Sequence, residues 1–554
     1  MMKKAKKTYW LISWLRLCSF LVLLPMLISF SKKEARKPNI LWITCEDMSP
    51  RLSAYGDSTV PTPNIDRLAR EGVRCTNMFS VSGVCAPSRS AIITGMYPTS
   101  IGSHNMRTLY NTYVPDLPPY SVVTPPEVKC FSEYLRKEGY YCTNNEKTDY
   151  QFEPPISAWD ESSKTAHWRN RKNGQPFFAI FNFTTTHESQ VWARKNEPLL
   201  FDPEKIKVPS FYPDNEIIRK DLTTFYNNIA FMDTQVGNVL KQLEEDGLLD
   251  NTIIFFYSDH GDGLPYVKRE VYDRGLKVPF IIRYPNKKGA GTTENELHSF
   301  VDLAPTILSL AGIQPPKHLQ GQAFLGKYAE KTPRKYIYAA RDRMDSEYDM
   351  VRAVRDKQFK YIKNYHPEKP FYQNIQYRLQ QDMMKEILRL KDEGKLNEKQ
   401  MMWFRPTKPV EELYEIENDS DEFNNLADNP LYKSKLEELR KAHLDWQTKF
   451  GDKGFIPEKE LVAHMYPNGQ QPTTQNPKII IKKNKVAIKC DTEGASMVYK
   501  IESVQASMQK IDSRYVARWQ VYTKPFKVEK GNKVFAIATR IGFKQSEEQV
   551  LEIK

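Results

Sequence analysis

The chain has 554 residues, 27% of them charged and 12% aromatic. That composition excludes a disordered chain, and the length exceeds what one small core organises, so one large domain with an appendage is expected. Formal net charge is +13, and five of the basic residues, Lys3, Lys4, Lys6, Lys7 and Arg16, fall in the first 31 residues, leaving about +8. A mild basic excess suits a polyanionic substrate as well as it suits a generic surface. No nucleic-acid motif is present, and no nucleic-acid partner is expected.

The N-terminus reads as an export signal over residues 1–31. Lys3 to Lys7 form a basic n-region, and Leu17 to Phe30 is an apolar run shorter than the about 20 residues that span a bilayer. Ser29 and Ser31 offer small residues for cleavage, and Arg16 argues against a lipoprotein signal at Cys18. The mature chain is expected to be secreted or periplasmic, with membrane attachment only if the signal stays uncleaved. The seven cysteines fit neither a zinc pattern nor a dense disulfide framework; a Cys130–Cys142 disulfide is one pairing that export allows.

Pro38-Asn39 leads into Ile40 to Ile43, a buried strand that ends in Glu46-Asp47. Thr62 to Gly72 predicts a helix, with capping chemistry at its start and glycine at its end. Gln175 to Phe183, Thr252 to Tyr257 and Val278 to Arg283 are further buried strands, the second running into Ser258-Asp259-His260-Gly261-Asp262. Asp221 to Glu245 carries Phe225, Ile229, Met232, Val236, Val239, Leu240 and Leu243 at helical spacing. This alternation predicts an α/β domain over 37–345 with a doubly wound, mostly parallel sheet. Val351 to Tyr365 alternates like one half-exposed strand, and Met383 to Gly394 and Lys433 to Phe450 are amphipathic, which predicts a smaller C-terminal α+β subdomain over 346–465. A polar linker, Tyr466 to Pro477, then leads to a strand-rich 478–554 with turn signals at Lys483-Asn484, Glu493-Gly494 and Lys530 to Asn532. That segment reads as a β-sandwich serving structure, docking or carbohydrate binding.

Glu46-Asp47 and Asp259-His260 each follow a strand. Open parallel sheets bind ligands at the carboxyl ends of their strands, so pairs distant in sequence can share one site. Three carboxylates there need a cation, and hard oxygen donors favour calcium or magnesium; singly, each pair also fits a cap or turn. Residues 85–89 read Cys-Ala-Pro-Ser-Arg. Pro87 suits a helix start, which puts Cys85 at the positive end of a helix dipole, where sulfate or phosphate is stabilised. Arg89, one turn on, adds a charge-assisted contact.

Cys85 to Arg89, with Thr94-Gly95 downstream, resembles the signature of the formylglycine-dependent sulfatases, which share the alkaline-phosphatase-like fold. The resemblance spans about residues 37–450 and includes Pro38-Asn39-Ile40, Asn64 to Gly72, Ser258 to Gly261, Val301 to Thr306, Glu412 to Ile416 and Asn424 to Ala427. Its closest flavour is that of bacterial relatives of heparan N-sulfatase. It implies that a formylglycine-generating maturation enzyme oxidises Cys85, whose hydrate attacks sulfur to form a covalent sulfo-enzyme. By position, the ligands of a calcium ion, with magnesium the alternative, fall on Glu46, Asp47, Cys85, Asp259 and His260. Glu46 stands for the commoner aspartate and His260 for the commoner asparagine. Arg89, Lys147 and Lys268 match sulfate-binding residues, His187 matches the proton donor to the leaving atom, and His104 and Arg107 are placed in the pocket. Asp149 stands where the family often has histidine. The implied activity is hydrolysis of sulfate esters or sulfamates on sulfated saccharides, with a heparin or heparan type first and a sulfated algal glycan as the alternative. A phosphodiester or phosphonate monoester hydrolase and a non-catalytic glycan-binding protein are the rival readings.

Overall fold

A computed structural model describes residues 37–110, 112–482, 485–502 and 518–554; the expected signal segment, with Cys18, and the Lys483-Asn484 turn lie outside the described residues. Six strands make the body of the main sheet: β1 (Asn39–Cys45), β2 (Val73–Phe79), β3 (Tyr141–Asn145), β4 (Phe177–Phe183), β5 (Thr252–Ser258) and β6 (Lys277–Arg283). Their order is β3-β4-β1-β5-β6-β2, with Glu161–Ser162 added beside β3 and Thr292–Glu294 and His298–Ser299 beside β2. β3, β4, β1 and β5 run parallel, while β6 is antiparallel to both β5 and β2. The fold is therefore α/β with a mostly parallel sheet.

Every residue of β1 and β5 is buried, as expected of strands covered on both faces. The two-residue period of β1 sends Leu41 and Ile43 to one core with Phe225, Ile229 and Met232 of helix α3 (Glu216–Glu245), and Ile40 and Trp42 to the other, with Ile92 and Ile93 of helix α2 (Cys85–Thr94). The predicted apolar face of α3 is buried throughout, and the helix begins earlier than its periodicity implied because the Asn215 side chain accepts from the Ile218 N–H. Helix α1 (Pro63–Glu71) is capped differently from expectation. Thr62 makes no side-chain cap; the Asp233 carboxylate of α3 accepts from the N–H groups of Asn64 (3.2 Å) and Ile65 (2.9 Å) instead.

Val351 to Tyr365 is not one half-exposed strand. It is a hairpin of two strands, Val351–Arg355 and Phe359–Asn364, turned at Asp356, whose carboxylate accepts from the Gln358 and Phe359 N–H groups. With Ile337–Arg341 and Glu411–Glu415 it forms a four-stranded antiparallel sheet. The charges that suggested exposure are buried ion pairs: Arg352 with Asp342 and Asp452, Arg355 with Asp273, and Lys360 with Asp273 and Glu422. Cys130 and Cys142 are buried free thiols in an apolar cluster, so the disulfide allowed by export does not form. The Tyr466 to Pro477 stretch is packed rather than free: Tyr466 Oη accepts from the Ser121 N–H, and the Thr474 N–H donates to the Lys544 carbonyl. Beyond it, a three-stranded and a four-stranded sheet share one apolar core around Val486, Ile488, Val534 and Ala536. Among the described residues no helix is long and apolar enough to cross a membrane.

Helix α4 (Lys433–Phe450) covers this hairpin and buries His443, whose Nε2 is hydrogen-bonded to Tyr365 Oη at 2.9 Å. Burial first, then Arg352, push its imidazole down to about 4. The folded state therefore binds fewer protons than the unfolded chain below pH 6.5, and stability should fall as pH drops from about 6.5 to about 4, by up to about 3 kcal/mol from this group. Denaturant titrations across that range should show the slope in the wild type and lose this part of it in His443→Phe.

Candidate active site

The parallel register carries the site. Cys45 at the end of β1 lies opposite Phe183 of β4 and Ser258 of β5, so Glu46-Asp47, Asp259-His260 and the segment from Thr184 to Glu188 leave the sheet side by side. β3 ends one strand further over and leads to Lys147. Asp47 has a left-handed backbone (φ 53°), and its N–H donates to Asp259 Oδ1 at 3.1 Å. Helix α2 starts at Cys85 itself, two residues before Pro87, and all ten of its residues are buried. The Ser88 hydroxyl donates to the Asp259 carbonyl at 2.6 Å, fixing the start of α2 to the end of β5.

Four carboxylates, Glu46, Asp47, Glu188 and Asp259, are each at most 1% exposed. Cations sit between them. Arg89 donates to Asp259 (2.9 Å) and Glu46 (3.4 Å), and also to Asn182 Oδ1 (2.9 Å). Lys147 meets Glu46 at 2.5 Å and Asp149 at 3.6 Å. Lys268 bridges Asp47 (2.5 Å) and Glu188 (2.9 Å), and Arg269 makes two bonds to Glu188 (3.0 and 2.8 Å). His260 Nε2 lies 2.9 Å from Asp47 Oδ1 and 3.5 Å from Cys85 Sγ, while its Nδ1 donates to the Gly261 carbonyl at 2.9 Å. His187, tied at Nδ1 to Ser189 Oγ (2.8 Å), groups with Asp47 and Cys85, their ligand atoms within 4.8 Å of one another. A Cβ on Gly263 would stand 2.7 Å from Asp47 Oδ2, so only glycine lets the chain pass behind that carboxylate.

This packing sets the ionisation. Burial opposes charge on Glu46, but Lys147, His187 and Arg89 overcome it and hold the carboxyl at about 2. Burial likewise opposes charge on Asp47, and Lys268, His187 and His260 hold it well below the carboxylate range. Burial raises the Cys85 thiol, yet Lys268 and Lys147 bring it down to about 7. Burial lowers His260, and Asp259 and Asp47 outweigh it, raising the imidazole well above 6.5.

Of the residues expected in the site, Asp47, Cys85, Arg89, His187, Asp259, His260 and Lys268 meet directly, and Glu46 and Lys147 join through Arg89. Arg107 lies at the rim, paired with Asp345 (2.9 Å) and stacked 4.4 Å above Tyr377, whose ring is 6.3 Å from His187. His104 is buried, and among the described residues it makes no hydrogen bond or ion pair to the cluster. Sequence reasoning missed Glu188, Arg269, Asn182 and the aromatic wall of Tyr377 and Trp192, whose rings are 5.2 Å apart. Glu188 had a signal: it adjoins His187 just past a strand end, as Glu46 and Asp259 do.

The donor set fits a divalent cation. Carboxylates of Asp47 and Asp259 converge with His260, and with Nδ1 donating to the Gly261 carbonyl, Nε2 is the nitrogen that would face a cation once its proton is displaced. Buried acids at the carboxyl ends of parallel strands, facing a residue on a helix N-terminus among cations, define an alkaline-phosphatase-like hydrolase of anionic esters.

Comparison with known proteins narrows the class. The sulfatase profile matches residues 38–153 and 158–313, and that of the N-sulphoglucosamine sulphohydrolase C-terminal region matches 261–401. An ulvan-active sulfatase of Formosa agariphila is 50% identical, covering 93% of this chain and 91% of its own. Human N-sulphoglucosamine sulphohydrolase is 24% identical, covering 76% of this chain and 91% of its own. The solved structure of a 2-O GAG sulfatase matches with a TM-score of 0.58 at 21% identity, covering 75% of this chain and 93% of that one. The chain belongs to the sulfatase family and is a sulfuric ester hydrolase.

Glu188 is the counter-charge of both Lys268 and Arg269. Glu188→Gln should leave Lys268 held by Asp47 alone, shift it from its position and lower kcat/KM for sulfate release by about 10²-fold. Removing one partner of a buried ion cluster should also cost about 3–5 kcal/mol in a denaturant titration.

Proposed function

We propose that this sulfatase removes sulfate esters from a sulfated algal polysaccharide of the ulvan type, with a formylglycine made from Cys85 and a calcium ion at the strand-end acids. The observation that carries the substrate is the 50% identity to an ulvan-active sulfatase over nearly the whole chain. It favours the algal glycan over the heparin type. The export signal expected in the first 31 residues would place the enzyme outside the cytoplasm, where such polymers are met.

Asp47, Asp259, His260 and residue 85 are the donors that would hold the cation, with Glu46 joined to them through Arg89. When bound, the cation adds positive charge against developing negative charge on oxygen. Formylglycine, supplied by a maturation enzyme, provides a hydrated aldehyde as nucleophile in place of the thiol. Arg89, Lys147 and Lys268 surround residue 85 and bind the sulfate oxygens, orienting sulfur towards it. His187, its Nδ1 held by Ser189, protonates the leaving oxygen. Arg107, Tyr377 and Trp192 stand beside His187 as the wall met by the sugar.

Peptide mass analysis of active enzyme should find formylglycine at position 85, and Cys85→Ala should fold without turnover; active enzyme with only cysteine there would refute the nucleophile. Chelation should abolish activity, with calcium restoring it better than magnesium; full activity in rigorously metal-free enzyme would sink the cation assignment. Ulvan oligosaccharides should release sulfate faster than N- or O-sulfated glucosamine disaccharides, and aryl sulfate should turn over faster than aryl phosphate. Release from the glucosamine set alone would reverse the substrate reading, and preference for aryl phosphate would favour the phosphohydrolase rival.

A further inference from the structure

The C-terminal module carries a charge pattern that its own stability does not account for. Its three-stranded sheet consists of Lys478–Lys482, Lys485–Lys489 and Phe526–Lys527. In its register Lys478 lies opposite Lys489, Lys482 opposite Lys485, and Lys485 opposite Lys527. Residues paired across a sheet share a face. All five lysines therefore stand on the side away from Val486 and Ile488, which are buried in the module core. All five are exposed, and the three strands contain no acid. Among the described residues their single ion pair is that of Lys478 with Asp491.

Like charges directly opposite one another destabilise a sheet. Here three such pairs adjoin in two rows, one at each end of the strands and about 13 Å apart at the rise of a β-strand. Ile480 and Ala487 lie between the rows on the same face. Such a surface is complementary to a linear polyanion that reaches both rows. Among the described residues the face offers no aromatic ring for stacking a nucleobase, and no large exposed apolar anchor for entering a membrane.

We propose that this lysine face is a second saccharide-binding site, which grips the sulfated polymer away from the catalytic centre; this rests on the reading of the substrate as a sulfated polysaccharide. Tethering the polymer raises the local concentration of sulfate groups at the active site. It acts through charge, so it weakens with ionic strength.

The test uses the full chain with Lys482→Gln, Lys485→Gln and Lys527→Gln combined. Binding to ulvan is measured on a Cys85→Ala background so that the polymer is not consumed. Affinity should fall at least about tenfold at about 0.1 M salt, with the difference vanishing near 1 M. In the otherwise intact enzyme, sulfate release from a short ulvan oligosaccharide should be unchanged, release from dilute polymer should fall, and the denaturation midpoint should hold or rise. Unchanged ulvan affinity would overturn the proposal. So would an equal loss of affinity for chemically desulfated ulvan, or a larger loss for duplex DNA or phosphatidylglycerol vesicles. Failure of the wild type to release sulfate from ulvan would instead overturn the substrate reading, leaving the binding measurement to decide this face separately.

Discussion

Negative charge held out of water at the end of a parallel sheet is what the surrounding architecture answers to. Glu46, Asp47, Glu188 and Asp259 are buried within one small volume, and an uncompensated buried carboxylate costs several kcal/mol. Each is matched by a cation from a different part of the chain: Arg89 from α2, Lys147 from beyond β3, Lys268 and Arg269 from beyond β5. The start of α2, the left-handed turn at Asp47 and the glycine behind its carboxylate all serve this matching. Position follows from neutralisation here, and catalytic geometry follows from position.

The same balance explains how a site full of acids receives an anion. Lys147, Lys268 and Arg89 are held by carboxylates before substrate arrives, so their side-chain entropy is already spent. On the proposed reading, a sulfate would meet donors with fixed directions in a buried site, where charge interactions are strong. The acids tether the lysines and, on the proposed reading, would also supply the donor set for a divalent ion.

Sequence patterns reported the parts of this structure that depend on local periodicity. The apolar runs of β1, β4 and β5 and the spacing from Phe225 to Leu243 announce their elements because burial on a strand or helix face repeats regularly. Glu46-Asp47 and Asp259-His260 were legible because they follow such runs. The reversed direction of β6 was not, since a buried strand has the same composition in either orientation. Nor was the hairpin at Val351, where lysine and arginine resemble surface residues until Asp273, Asp342, Glu422 and Asp452 are brought to them from far along the chain. Arg269 was hidden for the same reason, inside a run that reads as solvated charge. Long-range electrostatic partners leave no periodic trace.

The buried pairs of that hairpin also bear on how such a protein can be recombined. Asp273 lies just ahead of β6, in the catalytic part, and its counter-charges Arg355 and Lys360 come from the following sheet. Exchange of either part with an unrelated sequence would strand ionised groups in an apolar interior. Joining either part to an unrelated partner would therefore cost several kcal/mol for each carboxylate or cation left unpaired. A change to one acid or base across the junction strands its partner unless both change together.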